Sequence, residues 1–344
     1  MNFSKILQDW YIKYARDLPW RHTNDPYHIW VSEIILQQTQ VVQGAPYYYR
    51  FIETFPNIQA LADADESEVL KIWQGLGYYS RARNLHFTAK YIVNNYNGVF
   101  PSEYKDILNL KGIGEYTAAA ISSFCYGMPY AVLDGNVARL LSRYFGLELD
   151  INSSEGKRIL KEKSQLLLDR KNPAMHNQAV MEFGALQCKK MSPECSICDL
   201  SSSCAAYQAG LVNILPIKKK IKKKKKKYFN YLIVKYHNNI LITRRSSGIW
   251  QSLYEFPLIE GNLNLDEIIN NEYFQSFFQD QSYLITNFSE LITHQLSHQV
   301  IYARFIHLTV SDRIKSNFID IDIKDFDNYP IPRLIDKYIK STGI

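Results

Sequence analysis

Long apolar runs are missing from the 344 residues, and no stretch could span a bilayer, so no membrane association is expected. The opening MNFSKILQDWYIKYARDLPW has no basic segment followed by an apolar one, so no secretory leader is expected either. A cytoplasmic protein follows as the expectation, and in that compartment thiols stay reduced. Cysteine is scarce, with five residues in all, and a disulfide framework is the weaker reading of them. No internal repeat is evident.

Net charge is also missing, except in one place. Residues 1–217 carry 21 basic and 21 acidic side chains, and residues 228–344 carry 10 and 13. The excess of positive charge lies in KKKIKKKKKK, residues 218–227, with nine lysines. A block of like charge repels itself and reads as an exposed linker, either a plain spacer or a tether attracted to phosphates.

The chain is long for one domain, and the tract divides two textures. Before it lie amphipathic stretches such as SEIILQQTQVVQGAPYYYRFIETF and the Ala-rich TAAAISSF, which predict an all-α domain over 1–215. After the linker, 216–227, come YFNYLIVKY, NILITRR and QVIYARFIHLTV, which predict a smaller α+β domain over 228–344.

Four of the cysteines fall in CKKMSPECSICDLSSSC, at positions 188, 195, 198 and 204. Four thiols in one polar loop point to a metal. The donor chemistry leaves zinc and a [4Fe–4S] cluster level. Cys125, in ISSFCYGM, reads as a buried small hydrophobe. In LNLKGIGEYTAAAI, Gly112 and Gly114 join two helical segments, an arrangement that leaves helix N–H groups free for a phosphate or simply makes a turn. Asp134 in LDGNVARLL precedes a helix and reads first as its N-cap. Glu33 in WVSEIILQQTQV shares its helix face with apolar residues. It is either a boundary glutamate with a local partner or a buried acid of raised pKa.

The spacing C-x6-C-x2-C-x5-C at the end of a helical domain resembles the iron–sulfur loop of the endonuclease III and MutY DNA glycosylases. WVSEIILQQTQV, LDGNV, LPWR at 18–21, QGLGYYSRARNL at 74–85 and MEFGA at 181–185 are similar to the MutY-type adenine DNA glycosylases in register. Lys111 stands where the family's hairpin has proline. The resemblance implies a helix-hairpin-helix fold with a [4Fe–4S] cluster on Cys188, Cys195, Cys198 and Cys204. The implied substrate is double-stranded DNA holding adenine opposite 8-oxoguanine or guanine, bound by a monomer. In a bacterium this places the protein at the nucleoid, with a sliding clamp or other repair proteins as partners to look for.

By the same resemblance Glu33 is the general acid, Asp134 stabilises the sugar cation, Asn136 positions sugar or water, and Glu182 holds the adenine. Tyr116 stands where lyase-type relatives keep a lysine, which implies a monofunctional hydrolase. Gln38, Leu76 and Tyr78 are the implied wedge for base flipping, and Arg21, Gly112 and Gly114 belong to the DNA-facing set. Arg81 and Arg83 read as phosphate contacts or as surface charges, and Lys189 and Lys190 as backbone contacts offered by the cluster loop. Residues 228–344 lack the G-x5-E-x7-R-E-x2-E-E-x-G box, so no pyrophosphatase is expected. SGIWQSLYEFP at 247–257 nonetheless resembles the Nudix-like lesion-sensing domain of this family. Ser297 and His298, in THQLSHQ, match its 8-oxoguanine loop, with Leu296 in place of phenylalanine and His294 as the neighbouring histidine. A non-catalytic DNA-binding protein on the same scaffold and a pyrimidine lyase are the competing readings. The two carboxylates argue against the first, Tyr116 and LDGNV against the second.

Overall fold

The structure is a computed structural model and describes residues 3–218, 224–279, 281–314 and 316–343. The chain forms two compact units, one of residues 1–63 with 84–221, the other of 64–83 with 222–344. Each matches its expected class, but the partition differs from the expected one in two respects. Residues 64–83 belong with the C-terminal unit. The expected linker, 216–227, is in part a strand, because β1 begins at Lys225. Positions 219–223 of the lysine tract lie outside the described residues.

The first unit is helical. Helix Pro26–Leu36 starts at Asp25, whose side chain accepts from the Tyr27 N–H, with Pro26 in the first turn. It buries Tyr27, Ile29, Trp30, Val31, Ser32, Glu33, Ile34 and Ile35, so it is surrounded by protein rather than amphipathic. Helix Gly135–Phe145 starts at Asp134, whose side chain accepts from the N–H groups of Asn136 and Val137. It ends at Gly146 in the left-handed region. Helix Pro173–Leu186 comes close to the first turn of Gly135–Phe145 at Gly184, where a Cβ would lie 3.0–3.1 Å from atoms of Asn136. A larger residue there would push the two helices apart.

The hairpin joins helices Tyr104–Asn109 and Glu115–Tyr126. Its two glycines do different things. Gly112 has φ +85°, and a Cβ would meet Asn84 Cβ at 2.8 Å. Gly114 has φ −102° and open space where a Cβ would stand.

The second unit holds a mixed eight-stranded sheet: β1 Lys225–Tyr236, β2 Asn239–Arg244, β3 Tyr254–Glu255, β4 Leu258–Glu260, β5 Tyr283–Phe288, β6 Ile292–Gln295, β7 Gln299–Val310 and β8 Ile319–Asp322. β1 and β7 pair in parallel at its centre, from Lys225↔Gln299 to Lys235↔Thr309. Residues 229–234 of β1 are buried without alternation, as a strand covered on both faces requires. On one face Leu232, Val234, Ile306 and Leu308 pack with Phe274 and Phe278. On the other, the Tyr338 ring of helix Arg333–Thr342 stacks on Phe305 with centroids 3.7 Å apart. The segment 64–83 is tied to this unit by Arg244–Glu66 at 2.7 Å, Arg83 Nη1 to Gln251 O at 2.7 Å and Gln74 Oε1 accepting from Ile331 N at 3.3 Å.

Gly112→Ala should lose about 1–3 kcal/mol of stability from backbone strain and the Asn84 clash, whereas Gly114→Ala should lose less than about 1 kcal/mol. Urea midpoints measure both, and equal losses would contradict the assignment of strain to Gly112.

Candidate active site

Helices Pro26–Leu36, Glu115–Tyr126, Gly135–Phe145 and Pro173–Leu186 converge on a pocket of about 470 Å³. It is lined by Glu33, Tyr116, Asp134, Asn136, Arg21, Gln38 and Glu182, so seven of the residues named from sequence meet in one place.

Two carboxyl groups face each other in different environments. Glu33 is 7% exposed, and its burial pushes its pKa up to about 7. The Tyr116 hydroxyl, as a hydrogen-bond partner, and the Arg21 charge pull the other way, while the Asp134 charge adds to the rise. Burial also raises Asp134, but more donors oppose it there. Its Oδ1 accepts from Asn136 N at 2.9 Å and Val137 N at 2.7 Å, and its Oδ2 accepts from Asn136 Nδ2 at 2.9 Å. The positive end of helix Gly135–Phe145 and the Arg139 charge act in the same direction. The N-cap and the second carboxylate expected from sequence are thus one geometry.

Glu182, expected to hold the adenine, lines the pocket and is engaged by two arginines. Oε1 accepts from Arg16 N at 2.9 Å and Arg16 Nε at 2.8 Å, and Oε2 accepts from Arg16 Nη2 and Arg21 Nη2, both at 2.7 Å. These four donors fill the lone pairs of a carboxylate. The hydrogen bonds from Arg16 and Arg21 overcome burial and hold its pKa down at about 2. It can reach a base only by giving up a donor. Arg21, expected among the DNA-facing residues, is committed as well, donating to Gln178 Oε1 at 3.1 Å and to Arg16 O at 2.9 Å.

Sequence reasoning missed Arg16, Arg139 and Arg143. Arg139 Nη2 donates to Asn136 Oδ1 at 3.0 Å and Gly184 O at 2.5 Å, and its Nε to Cys188 O at 2.9 Å. One turn on, buried Arg143 donates to Lys189 O at 2.7 Å and Leu215 O at 2.9 Å, with Cys188 Sγ at 3.5 Å. Two arginines one turn apart among the apolar residues of VARLLSRYF, 137–145, were the available signal.

The loop they hold brings Cys188, Cys195, Cys198 and Cys204 around one small cavity with Leu140, Phe183 and Leu200. Backbone N–H groups point at the sulfurs, Leu200 at Cys198 and both Ala206 and Tyr207 at Cys204. Among the described residues no three Cys, His, Asp or Glu groups converge to hold a single ion. Lys189 pairs with Glu194 at 3.2 Å. Cys125 is partly buried, and burial raises its thiol far above the ordinary range.

Other expected residues lie in the second unit. Ser297 and His298 are exposed at the turn between β6 and β7, closed by Leu296 N donating to Gln299 O at 2.9 Å. His294 sits within β6, its ring 5.8 Å from Trp250. The Tyr78 hydroxyl hydrogen-bonds Ser297 Oγ. Tyr78 is 44% exposed with φ +48°, and Gln38, in the first unit, has φ +54°, a conformation rare for residues with side chains. Leu76, the third wedge residue expected, is 7% exposed. Arg81 is buried over the Trp73 and Tyr78 rings, and desolvation lowers its pKa to about 10. With Arg83 bonded to Gln251, neither arginine is a free surface charge.

A family model described as "HhH-GPD superfamily base excision DNA repair protein" matches residues 31–165, and one described as "NUDIX domain" matches 230–341. An adenine DNA glycosylase from Buchnera aphidicola subsp. Baizongia pistaciae is 37% identical over 314 residues, covering 90% of this chain and 86% of that one. The chain belongs to the adenine DNA glycosylases. It is therefore a DNA N-glycosylase of base excision repair. The human adenine DNA glycosylase is 40% identical over 215 residues, 60% of this chain and 39% of that one. A solved thermostable thymine-DNA glycosylase superposes with TM-score 0.56 at 31% identity, covering 60% of this chain and 95% of that one. Endonuclease III in a DNA-bound structure gives TM-score 0.53 at 19% identity over the same share, which shows a common fold for the helical unit. The adenine glycosylase pocket is thus built on that fold, with the Nudix-like unit added.

The raised Glu33 pKa makes a prediction that does not involve catalysis. The folded state holds this proton more tightly than the unfolded chain, so stability falls as pH rises from about 4.5 to about 7. Above that range the full cost, about 3 kcal/mol, is present. Glu33→Gln should therefore raise the melting temperature at pH 8 and change it little at pH 4.5. A pH-independent difference would overturn the assignment.

Proposed function

We propose that the chain excises adenine paired with 8-oxoguanine or guanine from duplex DNA by acid-catalysed hydrolysis of the N-glycosidic bond. The observation that carries this is the buried Glu33, with a pKa near 7, facing Asp134 at the start of a helix. Adenine cannot be reached inside the duplex, so the nucleotide flips into the pocket. Protonated Glu33 gives its proton to adenine N7, which turns a poor leaving anion into a neutral base. The bond electrons leave with the base, and the sugar becomes oxocarbenium-like. Asp134 stabilises that cation as a carboxylate, its three donors opposing the rise that burial causes, and Asn136 positions sugar or water beside it. Water then completes an abasic site. This is the division of labour of paired carboxylates in glycosidases. Among the described residues no lysine lines the pocket, and Tyr116 is no amine, which supports a hydrolase without lyase activity.

Duplex DNA would be held in part by the open start of helix Glu115–Tyr126 at Gly114. Gln38 and Tyr78 would act as wedges, and Ser297 and His298 would donate to the oxidised guanine. Cys188, Cys195, Cys198 and Cys204 fit a [4Fe–4S] cluster: four soft donors ring one cavity, with backbone N–H groups directed at the sulfurs. The cluster would supply a rigid cross-link for the loop that Arg139 and Arg143 join to the catalytic helix.

Glu33→Gln should lower single-turnover adenine release by about 10²–10⁴ while duplex binding persists. The wild-type rate should fall as pH rises through about 7, because Glu33 then loses its proton. Near-normal excision by the variant would sink the assignment. Purified protein should be yellow-brown with about four iron atoms per chain, and stoichiometric zinc after anaerobic purification would refute the cluster.

A further inference from the structure

The end of the lysine tract is not spacer. Lys225, Lys226 and Lys227 lie in β1, paired in parallel with Gln299, Val300 and Ile301. Those partners follow directly on the turn that carries Ser297 and His298. Both ends of that turn are bonded to the tract: Lys225 N donates to His298 O at 3.2 Å, and Lys224 Nζ donates to Leu296 O at 2.8 Å. Lys227 is neutralised by Glu260 at 3.7 Å. Lys224, Lys225 and Lys226 are exposed, and among the described residues no carboxylate lies within ion-pair distance of them. Three adjacent charges, Lys225 and Lys226 on the strand and Lys224 immediately before it, leave a polyanion as the matching ligand. Held by the strand and by the Lys224 bond to Leu296, they lose less freedom on binding than a loose tether would.

We propose that Lys224, Lys225 and Lys226 form a rail for the phosphates of the strand carrying the oxidised guanine, continuous with the reading turn. This rests on the role given above to Ser297 and His298.

The test uses the full chain with Lys224, Lys225 and Lys226 all changed to glutamine. Binding to an A:8-oxoguanine duplex is followed by fluorescence anisotropy over a salt series. Each neutralised phosphate contributes about 0.9 to the slope of log K against log salt, so the slope should shrink by about 2–3. A control removing the same charge elsewhere in this unit, Lys324, Lys337 and Lys340 to glutamine, should keep the wild-type slope. Adenine release at saturating enzyme should be unchanged in the rail variant. If the triple variant melts early, Lys225→Gln and Lys226→Gln singly should each remove about 0.9. An unchanged slope, or equal losses in rail and control variants, overturns the rail. Neutral methylphosphonates beside the 8-oxoguanine should weaken wild-type binding and leave the rail variant unaffected. The same effect from the adenine strand overturns the strand assignment. Failure of the wild type to release adenine would count against the proposed function, whereas the slope reports on the rail alone.

Discussion

Two carboxyl groups share one pocket, and the backbone treats them differently. Asp134 sits at a helix start, where N–H groups have no partners of their own and turn to the nearest acceptor. Glu33 sits mid-helix, where every backbone donor is already used, and it finds only the Tyr116 hydroxyl and distant charge. Burial raises both groups, but at Asp134 three hydrogen bonds and the Arg139 charge oppose it, whereas at Glu33 only the Tyr116 hydroxyl and the Arg21 charge do.

This contrast survives only if the helices stay in place. Gly184 allows helix Pro173–Leu186 to lie against Asn136, and Arg139 bonds Asn136, Gly184 and Cys188 together. Arg143 extends the connection to Lys189 and Leu215. The thiol loop is therefore joined to the acid pair by two side chains of the same helix that Asp134 caps. Loosening the loop would reach the pocket through hydrogen bonds rather than through a long-range field.

Much of this was legible in the sequence, where chemistry is written locally. The thiols span 17 residues, and the cap at LDGNV and the apolar surroundings of Glu33 each lie within a dozen; in the structure the thiols line one cavity, Asp134 caps its helix and Glu33 is buried. The strands β1, β2 and β7 were equally legible, because YFNYLIVKY, NILITRR and QVIYARFIHLTV are rich in β-branched and aromatic residues. What escaped is what depends on distant partners. The saturation of Glu182 needs Arg16, which is 166 positions away. The burial of Leu76 and Arg81 could not be read from a segment that resembles an exposed wedge. The lysine run misled for a different reason: composition predicts repulsion and exposure, but backbone pairing with β7 is indifferent to side-chain charge, so Lys225–Lys227 form a strand while staying accessible.

Residues 64–83 belong to the unit that ends the chain. Lys71 Nζ reaches Tyr329 O across 258 positions, and Tyr79 reaches Ile331 across 252. During synthesis this segment leaves the ribosome about 250 residues before these partners do. At about 5–20 residues per second the wait is on the order of ten seconds or more. Until then the chain carries Lys71, Gln74 and Tyr79 without the partners at Tyr329 and Ile331 that they bond. These contacts between residues far apart in sequence are the slowest class to form. The C-terminal unit therefore cannot be completed until its own strands have been made, and until then the nascent chain carries an unfinished piece of it.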